Sequence, residues 1–417
     1  MLLVRGYKTE LDLNDRQRTA CIRHAGAARF AYNWALARKK AAYQSTGKSP
    51  SAIDLHRELN ALKKTELGWL YEVSKCAPQE ALRDLDQAFA NFYRRVALKR
   101  QGKLKGKVGF PQPKSRKKGL GSFTLTGAIR VFEGSIQLPR LGRLRLKERG
   151  YLPTSGVKVL AATVSEQAGR WLVSIQVEEE VADPEPAQGE SKGVDLGISK
   201  LATLSDGTAY ENPRALKKAQ TKMRRLQRQL ARQKKGSRNR SQTKLKIARQ
   251  HQRIANIRRD ALHQATSGIV AKTKPAAERP CVVVLETLNV AGMLKNHRLA
   301  QAISDVGMGE FVRQVRYKAA WNGVRVVMAD PWYPSSKRCS RCGVVKEQLA
   351  LSERVYRCGG CGMVLERDLN AARNLVQLAT GSSPGSNACG EDVRPAVGRQ
   401  TSTKQEPNDS LGLPRFV

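Results

Sequence analysis

Apolar residues recur at helical spacing through most of the first hundred positions. The helical pattern covers residues 15–43, 51–64 and 77–99, and residues 2–13 alternate weakly before it. This pattern predicts one strand followed by a helical block. The third helix has a single apolar face, which we interpret as core rather than as a surface for base stacking. That face consists of Leu82, Leu85, Phe89, Phe92 and Val96.

The period changes to two between about residues 120 and 182, where short alternating runs are separated by glycine and proline. This pattern predicts a small antiparallel barrel or sandwich. The runs are residues 122–126, 135–138, 144–146, 157–164 and 171–178. Because strands occur on both sides of the helical block, we expect the helices to be inserted after the first strand of this β domain. Residues 183–190 are rich in proline and predict a linker.

Three further strand signals follow this linker. Residues 192–210 predict a hairpin with an Asp-Gly turn, and Asp195 lies in the middle of its first strand. The apolar run 280–286 predicts a buried strand that ends on a carboxylate, Glu286. Residues 323–329 predict another buried strand. A buried acid in an apolar strand is costly unless it is compensated, and a metal ion would compensate it.

Residues 212–259 contain eighteen Lys or Arg residues and no acid. Apolar stripes on either side of a Lys-Gly-Ser break predict two antiparallel helices with cationic polar faces. A coiled coil would explain the stripes but not the missing acids. Residues 87–132 also lack acids, and the basic stretch at 103–118 predicts a phosphate-facing surface, with a solvated charge run as the alternative.

The whole chain is strongly basic. Its 417 residues include 75 Lys or Arg against 36 Asp or Glu, a formal net charge of +39. This excess indicates a nucleic-acid partner. A membrane-surface protein is the alternative, but no run approaches the ~18 apolar residues of a membrane span. The apolar run at the N-terminus is too short for a signal peptide, so we expect a cytoplasmic protein without a membrane partner.

Four cysteines form two pairs, Cys339 with Cys342 and Cys358 with Cys361. The spacing within and between the pairs predicts one structural Zn²⁺ ion held by four thiolates. A glycine follows each pair, where the chain must turn tightly around the ion. Disulfides are the alternative, which the absence of secretory features disfavours. The remaining cysteines are interpreted as reduced thiols.

Three acids occupy recognisable positions in this pattern: Asp195 in a strand, Glu286 at a strand end, and Asp368 near the first turn of a predicted helix. RNase H-type nucleases assemble a carboxylate cluster from such elements. Three carboxylates can hold two Mg²⁺ ions across a scissile phosphodiester, one activating water and the other stabilising the leaving oxygen. For any one of these acids taken alone, a structural role is the alternative to a catalytic one.

Several motifs together resemble the TnpB proteins of bacterial insertion sequences, relatives of type V CRISPR effector nucleases. The resemblance covers about residues 1–380. It rests on Gly-Val-Asp195-Leu-Gly-Ile, Val-Val-Leu-Glu286, Ser335-Ser336 before Cys339-Ser-Arg-Cys342-Gly, Arg367-Asp368-Leu-Asn370-Ala-Ala-Arg-Asn374, Arg29-Phe-Ala-Tyr-Asn33 and Gly106-Lys-Val-Gly-Phe-Pro111. It implies an RNA-guided DNA endonuclease with a transposon-derived guide RNA and a double-stranded DNA target, in the bacterial cytoplasm at the nucleoid.

The resemblance also implies an α+β multidomain fold. A RuvC-like nuclease domain of RNase H fold would contain an inserted zinc ribbon, and a wedge-like β-barrel would contain an inserted helical recognition domain. The implied ranges are 1–12 and 100–182 for the barrel, 13–99 for the recognition domain, 183–330 and 367–380 for the nuclease domain, and 331–366 for the ribbon. Residues 381–417 are expected to form a disordered tail.

Nucleic-acid contacts are predicted at five positions. Lys75 and Gln79 match family positions that read a short motif beside the target, since Gln suits adenine and Lys suits guanine or phosphate. Arg224, Arg225 and Arg228 lie in the cationic hairpin and are expected to contact backbone phosphates.

Three alternative functions belong to other classes. A nuclease-inactive RNA-guided repressor would have lost one of the acids, and all three are present. A transposase that joins strands through tyrosine would need a His-x-His pair, which does not occur. A compact type V CRISPR effector shares the chemistry and differs in the origin of its guide.

Overall fold

A computed structural model describes residues 1–104, 106–350 and 352–380. The chain divides into two compact units. The first contains Met1–Asp183 and Ala215–Ile257, and the second contains Pro184–Arg214 and the described residues from Arg258 onward. Each unit combines helices with a sheet, which confirms the α+β multidomain class. The predicted disordered tail at 381–417 lies outside the described residues.

The helical block of the first unit forms as predicted. Its helices are α1 (Asp15–Thr46), α2 (Ala52–Leu62) and α3 (Cys76–Arg100). Asn14 accepts from the Gln17 backbone nitrogen at 2.8 Å, and Gln17 returns a side-chain contact at 3.2 Å. This capping box starts α1. The helix ends at Gly47, whose φ of 68° favours glycine.

The sheet of the first unit has seven antiparallel strands in the order β2-β6-β7-β1-β5-β4-β3. The strands are β1 (Leu2–Asp12), β2 (Ser122–Leu125), β3 (Arg130–Phe132), β4 (Ser135–Leu138), β5 (Gly142–Leu146), β6 (Lys158–Gln167) and β7 (Arg170–Glu180). Because β1 pairs with both β5 and β7, the helices are inserted after the first strand, as predicted. The sequence pattern missed β3, which has only three residues.

Apolar side chains of the helical block and the sheet form one core. Leu82 and Leu85 of α3 are fully buried, as are Val164 and Ile175 of the sheet to within 1%. The predicted apolar face of α3 is therefore core in its first half. Phe89 is only partly buried against this core, and it contacts Phe110 edge to face.

The cationic segment forms the two predicted helices, α4 (Ala215–Arg232) and α5 (Arg238–Ile269). Met223 of α4 and Ile254 of α5 are buried in a small apolar cluster. Exposed cations cover the rest of α4, so the apolar stripe serves packing and the polar face remains basic.

A second, mixed sheet organises the second unit, in the order β10-β9-β8-β11-β12. Its strands are β8 (Lys192–Asp195), β9 (Lys200–Leu204), β10 (Ala209–Glu211), β11 (Val282–Leu285) and β12 (Arg325–Met328). Strands β8, β11 and β12 are parallel, with β12 at the edge, whereas β8, β9 and β10 pair antiparallel. The Asp206-Gly207 turn joins β9 to β10, so the predicted hairpin has a third strand.

The remaining elements of this unit are α6 (Val290–Met293), α7 (Ala300–Val306), α8 (Met308–Trp321), β13 (Val355–Arg357), β14 (Val364–Glu366) and α9 (Arg367–Thr380). The predicted linker at 183–190 is wrong in part. Ala187 is buried, its nitrogen donates to the Gly323 carbonyl at 3.0 Å, and Gly189 bridges to Pro280. Backbone hydrogen bonds thus build this segment into the second unit.

Across the described residues, we find no helix with both the length and the apolar character needed to cross a membrane.

Candidate active site and metal centre

Two of the predicted acids lie at the same edge of the second sheet. Asp195 is the last residue of β8, and Glu286 directly follows β11. These parallel strands place Val194 opposite Leu285, so the next residue of each strand emerges at their common carboxyl end. The prediction that Asp195 lies in mid-strand is wrong, because β8 pairs with β9 only as far as Asp195, opposite Thr203.

The third acid, Asp368, is the second residue of α9, and this helix packs against β8 and β11. Gly193 permits the close approach. A Cβ atom at Gly193 would lie 2.0 Å from the Ala372 carbonyl oxygen, so any side chain there would push α9 away from the sheet. The glycine therefore lets α9 lie close to the strand that carries Asp195, with the contact at Ala372, Leu375 and Val376.

The electrostatic environment of Asp195 shows that the acids act on one another. Asp195 is 8% exposed, and burial raises its pKa well above the usual range. The charges of Glu286 and Asp368 raise this pKa further, whereas Arg367 opposes the shift. Like charges brought together at low exposure require a compensating cation or a bound proton.

Glu286 is partly buried, and burial raises its pKa. The Ser335 hydroxyl donates a hydrogen bond to Glu286 Oε1, which lowers the pKa, and the charge of Asp368 raises it. Arg367 is the compensating base nearby, with its guanidinium 3.3 Å from Asp368 Oδ1. Lys200 also interacts with the charge of Asp368, but it is itself paired with Glu366. The carboxylates therefore leave an excess of negative charge that a divalent cation would neutralise.

The four predicted zinc ligands converge. The Sγ atoms of Cys339, Cys342, Cys358 and Cys361 all lie within 4.8 Å of one another. Cys339 Sγ is 3.7 Å from Cys361 Sγ, and Cys342 Sγ is 3.5 Å from Cys358 Sγ. Among the described residues, this is the one group of three or more potential ligands that is so tight; the three carboxylates are more widely spaced.

Two asparagines of α9 hold the cysteine-bearing segment. The Asn370 amide donates to the Arg338 carbonyl at 2.7 Å and accepts from the Ser340 nitrogen at 3.0 Å. Asn374 donates to the Ser335 carbonyl at 2.7 Å. Both asparagines are fully buried. The helix that carries Asp368 is therefore bonded to the backbone on both sides of Cys339.

Sequence reasoning did not assign roles to Ser335, Arg367, Asn370 or Asn374. The four-residue spacing of the asparagines places both on one face of α9, which is a usable signal for a shared partner. The contact of Ser335 with Glu286 joins residues 49 positions apart. No local pattern encodes such a contact.

The five predicted nucleic-acid contacts lie in the first unit. Lys75 is exposed immediately before α3, and Gln79 is half-buried one turn later. Arg224, Arg225 and Arg228 are exposed on α4. None of the three arginines forms an ion pair with a described residue, so their charges are free to meet phosphates.

Three protein-family models match the chain. Residues 174–297 match a family described as "Probable transposase", residues 309–375 match "Cas12f1-like, TNB domain", and residues 1–48 match "Helix-turn-helix domain". In this structure, residues 1–48 form β1 and one long helix.

A protein of Streptomyces pristinaespiralis named "Putative RNA-guided DNA endonuclease" is 37% identical over 99% of this chain and 98% of its own length. InsQ of Escherichia coli K12, which carries the same description, is 34% identical over 99% of each chain. Among solved structures, a Cas12f1-sgRNA-target DNA complex shares the fold with a TM-score of 0.55 and 12% identity, covering 90% of this chain and 99% of that chain. The full-length identity establishes that the chain belongs to the TnpB family.

Proposed function

We propose that this protein is an RNA-guided DNA endonuclease of a bacterial transposon, which cleaves DNA complementary to a transposon-derived guide RNA. The observation that carries the proposal is the meeting of Asp195 and Glu286, at the carboxyl end of β8 and β11, with Asp368 of α9, where burial and mutual repulsion raise the pKa of Asp195. A chain charge of +39 suits polyphosphate partners. The names of the full-length relatives support the same activity.

In this proposal, residues 183–330 and 367–380 form a RuvC-like nuclease domain of RNase H fold, and the sheet of that domain is the five-stranded sheet of the second unit. Residues 331–366 form a zinc ribbon inserted in it. Residues 1–12 and 100–182 form a wedge-like β-barrel, and residues 13–99 form a helical recognition domain. The insertion of α1–α3 after β1 and the cysteine cluster before α9 support this division.

Asp195, Glu286 and Asp368 would hold Mg²⁺, most simply as two ions. The donor set fits, because its oxygens are hard ligands and their negative charge exceeds the positive charge of the nearby bases, Arg367 and the Glu366-paired Lys200. Bound magnesium would activate water and stabilise the leaving oxygen. Ser335 orients Glu286 through its hydroxyl, and Arg367 holds Asp368. The four clustered thiols would hold one structural Zn²⁺ ion.

Recognition is proposed to lie in the first unit. Lys75 and Gln79 would read bases beside the target site, because Lys75 is exposed and Gln79 lies one helical turn away. Arg224, Arg225 and Arg228 would contact phosphates of the guide or heteroduplex. These contacts would supply affinity without sequence information.

The proposal is tested with guide-loaded protein and a matched DNA target. We expect Asp195→Ala, Glu286→Ala and Asp368→Ala each to abolish cleavage and to leave target binding nearly unchanged, because affinity comes from base pairing and backbone contacts. Glu211→Ala, which removes an exposed acid of β10, is the matched control and should cleave normally.

Gel shift and cleavage measured on the same samples separate the outcomes. Full cleavage by any one variant would remove that acid from the active site. A wild-type protein that binds its target but never cuts, at every magnesium concentration, would instead support an RNA-guided repressor.

A further inference from the structure

Trp332 is a large apolar side chain left almost entirely in solvent. It is 90% exposed, whereas the other exposed large apolar residues in the described part of the chain reach at most 65%. A lone exposed apolar residue is ordinary on a protein surface. The significance of Trp332 therefore depends on what surrounds it in the fold.

The segment that carries Trp332 is tied at both ends to the strand end that presents Glu286. On one side, the Ala329 nitrogen donates to the Leu285 carbonyl at 2.8 Å, and Thr287 Oγ1 donates to the Ala329 carbonyl at 2.7 Å. On the other side, the Ser335 hydroxyl donates to Glu286 itself. Trp332 is three residues from either tie, so its Cα lies within about 11 Å of each.

The backbone at Trp332 is held rather than free. Its nitrogen donates to Asp330 Oδ1 at 2.8 Å, and prolines 331 and 334 restrict the chain on both sides. The next residue, Tyr333, is partly buried and donates its hydroxyl to the Asn374 carbonyl at 3.0 Å. Tyr333 thus anchors the segment to α9 while its neighbour points an indole into solvent.

In the proposed function, the acids near Trp332 meet the phosphate of a bound strand through magnesium. They give no contact to the bases of that strand. An indole with open faces provides such a contact, because every base has a face on which an aromatic ring can stack, whatever the base identity.

We propose that Trp332 is a positioning residue that stacks on an unpaired base of the DNA strand beside the scissile phosphate. The inference rests on the proposed function and adds to it a binding site for single-stranded DNA at the edge of the active site. The stack would hold the strand in register with the three acids while contributing little to recognition of the whole target.

Four substitutions test the stack in single-turnover cleavage by guide-loaded protein. We expect Trp332→Ala and Trp332→Leu to slow cleavage about tenfold, and Trp332→Phe and Trp332→Tyr to stay within about threefold of wild type. Target binding by gel shift should be unchanged in all four. A wild-type rate for Trp332→Ala, or equal rates for the Leu and Phe variants, would overturn the proposal.

Abasic substitutions along the target strand locate the stacked base. One position near the cut should slow the wild-type protein about tenfold and leave Trp332→Ala unaffected, because the variant has no stack to lose. Identical abasic profiles for the two proteins would contradict the inference.

Fluorescence provides a readout that does not depend on cleavage. The difference in tryptophan emission between wild type and Trp332→Phe should be quenched by short single-stranded DNA. Quenching without any wild-type cleavage would retain the binding site and reject the nuclease function. Cleavage without quenching, or stronger quenching by RNA than by DNA, would reject the stacking role and retain the nuclease.

Discussion

At the residue scale, Ser335 links the two halves of the candidate active site. Its hydroxyl donates to Glu286, and its carbonyl accepts from Asn374 of the helix that carries Asp368. Ser335 is 5% exposed, so water cannot easily replace the hydroxyl. One buried serine therefore fixes an acid from the sheet relative to a helix from a distant part of the chain.

We predict that Ser335→Ala slows cleavage about tenfold at neutral pH, because a hydrogen bond to a charged group is lost. That hydrogen bond lowers the pKa of Glu286, so its removal raises the pKa further. The carboxylate form then persists only at higher pH, and the acidic limb of the cleavage–pH profile should move upward. Ser336→Ala is the control. Overlapping pH profiles for Ser335→Ala and wild type would contradict the role of Ser335.

Lys318 is a buried base that the proposed chemistry does not use. It is 5% exposed and donates to the His263 carbonyl at 2.8 Å, Thr266 Oγ1 at 2.7 Å and Ser267 Oγ at 2.9 Å. It forms no ion pair with any described residue. Burial, and to a lesser extent the charge of Lys272, lower its pKa from 10.5 to about 8.

This pKa predicts a pH-dependent stability. Between pH 8 and 10.5 the unfolded chain binds the Lys318 proton and the folded chain does not, so this residue makes stability rise with pH. Lys318→Met should remove that part of the rise, and the exposed Lys48→Met should not. Thermal unfolding from pH 7 to 10.5 measures both. Parallel curves for wild type and Lys318→Met would show that burial does not depress this pKa.

At the element scale, the cysteine segment and α9 form one folded assembly. Asn370 bonds to the backbone at Arg338 and Ser340, on either side of Cys339. Short strands β13 and β14 pair beside the second cysteine pair. Because its cluster contains so few apolar residues, we expect this segment to depend on a bound ion for stability.

We predict that Cys358→Ser releases the bound metal and disorders residues 331–366. Binding free energy of a structural zinc site is folding free energy, on the order of 10 kcal/mol in isolated fingers. Metal analysis should find about one zinc in wild type and in Cys281→Ser, which removes a cysteine outside the cluster, and none in Cys358→Ser. Limited proteolysis reports the disorder. Equal zinc in all three proteins would reject the site.

At the scale of the whole molecule, the chain has a net charge of +39, and only some of its basic side chains form ion pairs with acids. Arg23, Arg83 and Arg313 form ion pairs with Glu72, Glu80 and Glu310 at 2.7–3.0 Å. Arg224, Arg225 and Arg228 on α4 have no such partner among the described residues. Exposed arginines of the two kinds allow a test that changes net charge equally.

Replacing Arg224, Arg225 and Arg228 together with Gln should weaken nucleic-acid binding for every guide sequence. Each lost phosphate contact removes roughly 0.7–0.9 from the slope of log K against log salt, so the slope should flatten by about two to three. The triple variant Arg23→Gln, Arg83→Gln, Arg313→Gln removes the same charge from paired positions and should keep the wild-type slope. Equal slopes for both triple variants would show that these arginines of α4 face solvent and do not contact phosphates.

Much of this protein is readable from its sequence because the signals are local. Helical spacing placed α1–α4 within a few residues, although α5 continues ten residues beyond the predicted end at 259, and alternation placed most strands. The cysteine pairs predicted a cluster because the chain between them is short. The three acids were found because each stands next to an apolar run whose secondary structure orients it. The strand that contains Asp195 ends at that residue, whereas the pattern predicted that it would continue past it.

Only tertiary structure decided which of these elements meet. The parallel pairing of β8 with β11 joins segments about 90 residues apart, and it brings Asp195 to the same edge as Glu286. The contacts of Ser335 with Glu286 and of Asn374 with Ser335 arise from packing of α9, which Gly193 permits. Likewise, long-range contacts group residues 215–257 with the first unit. Such pairings minimise exposed apolar surface and unpaired polar groups over the whole chain, so no local window of sequence contains them.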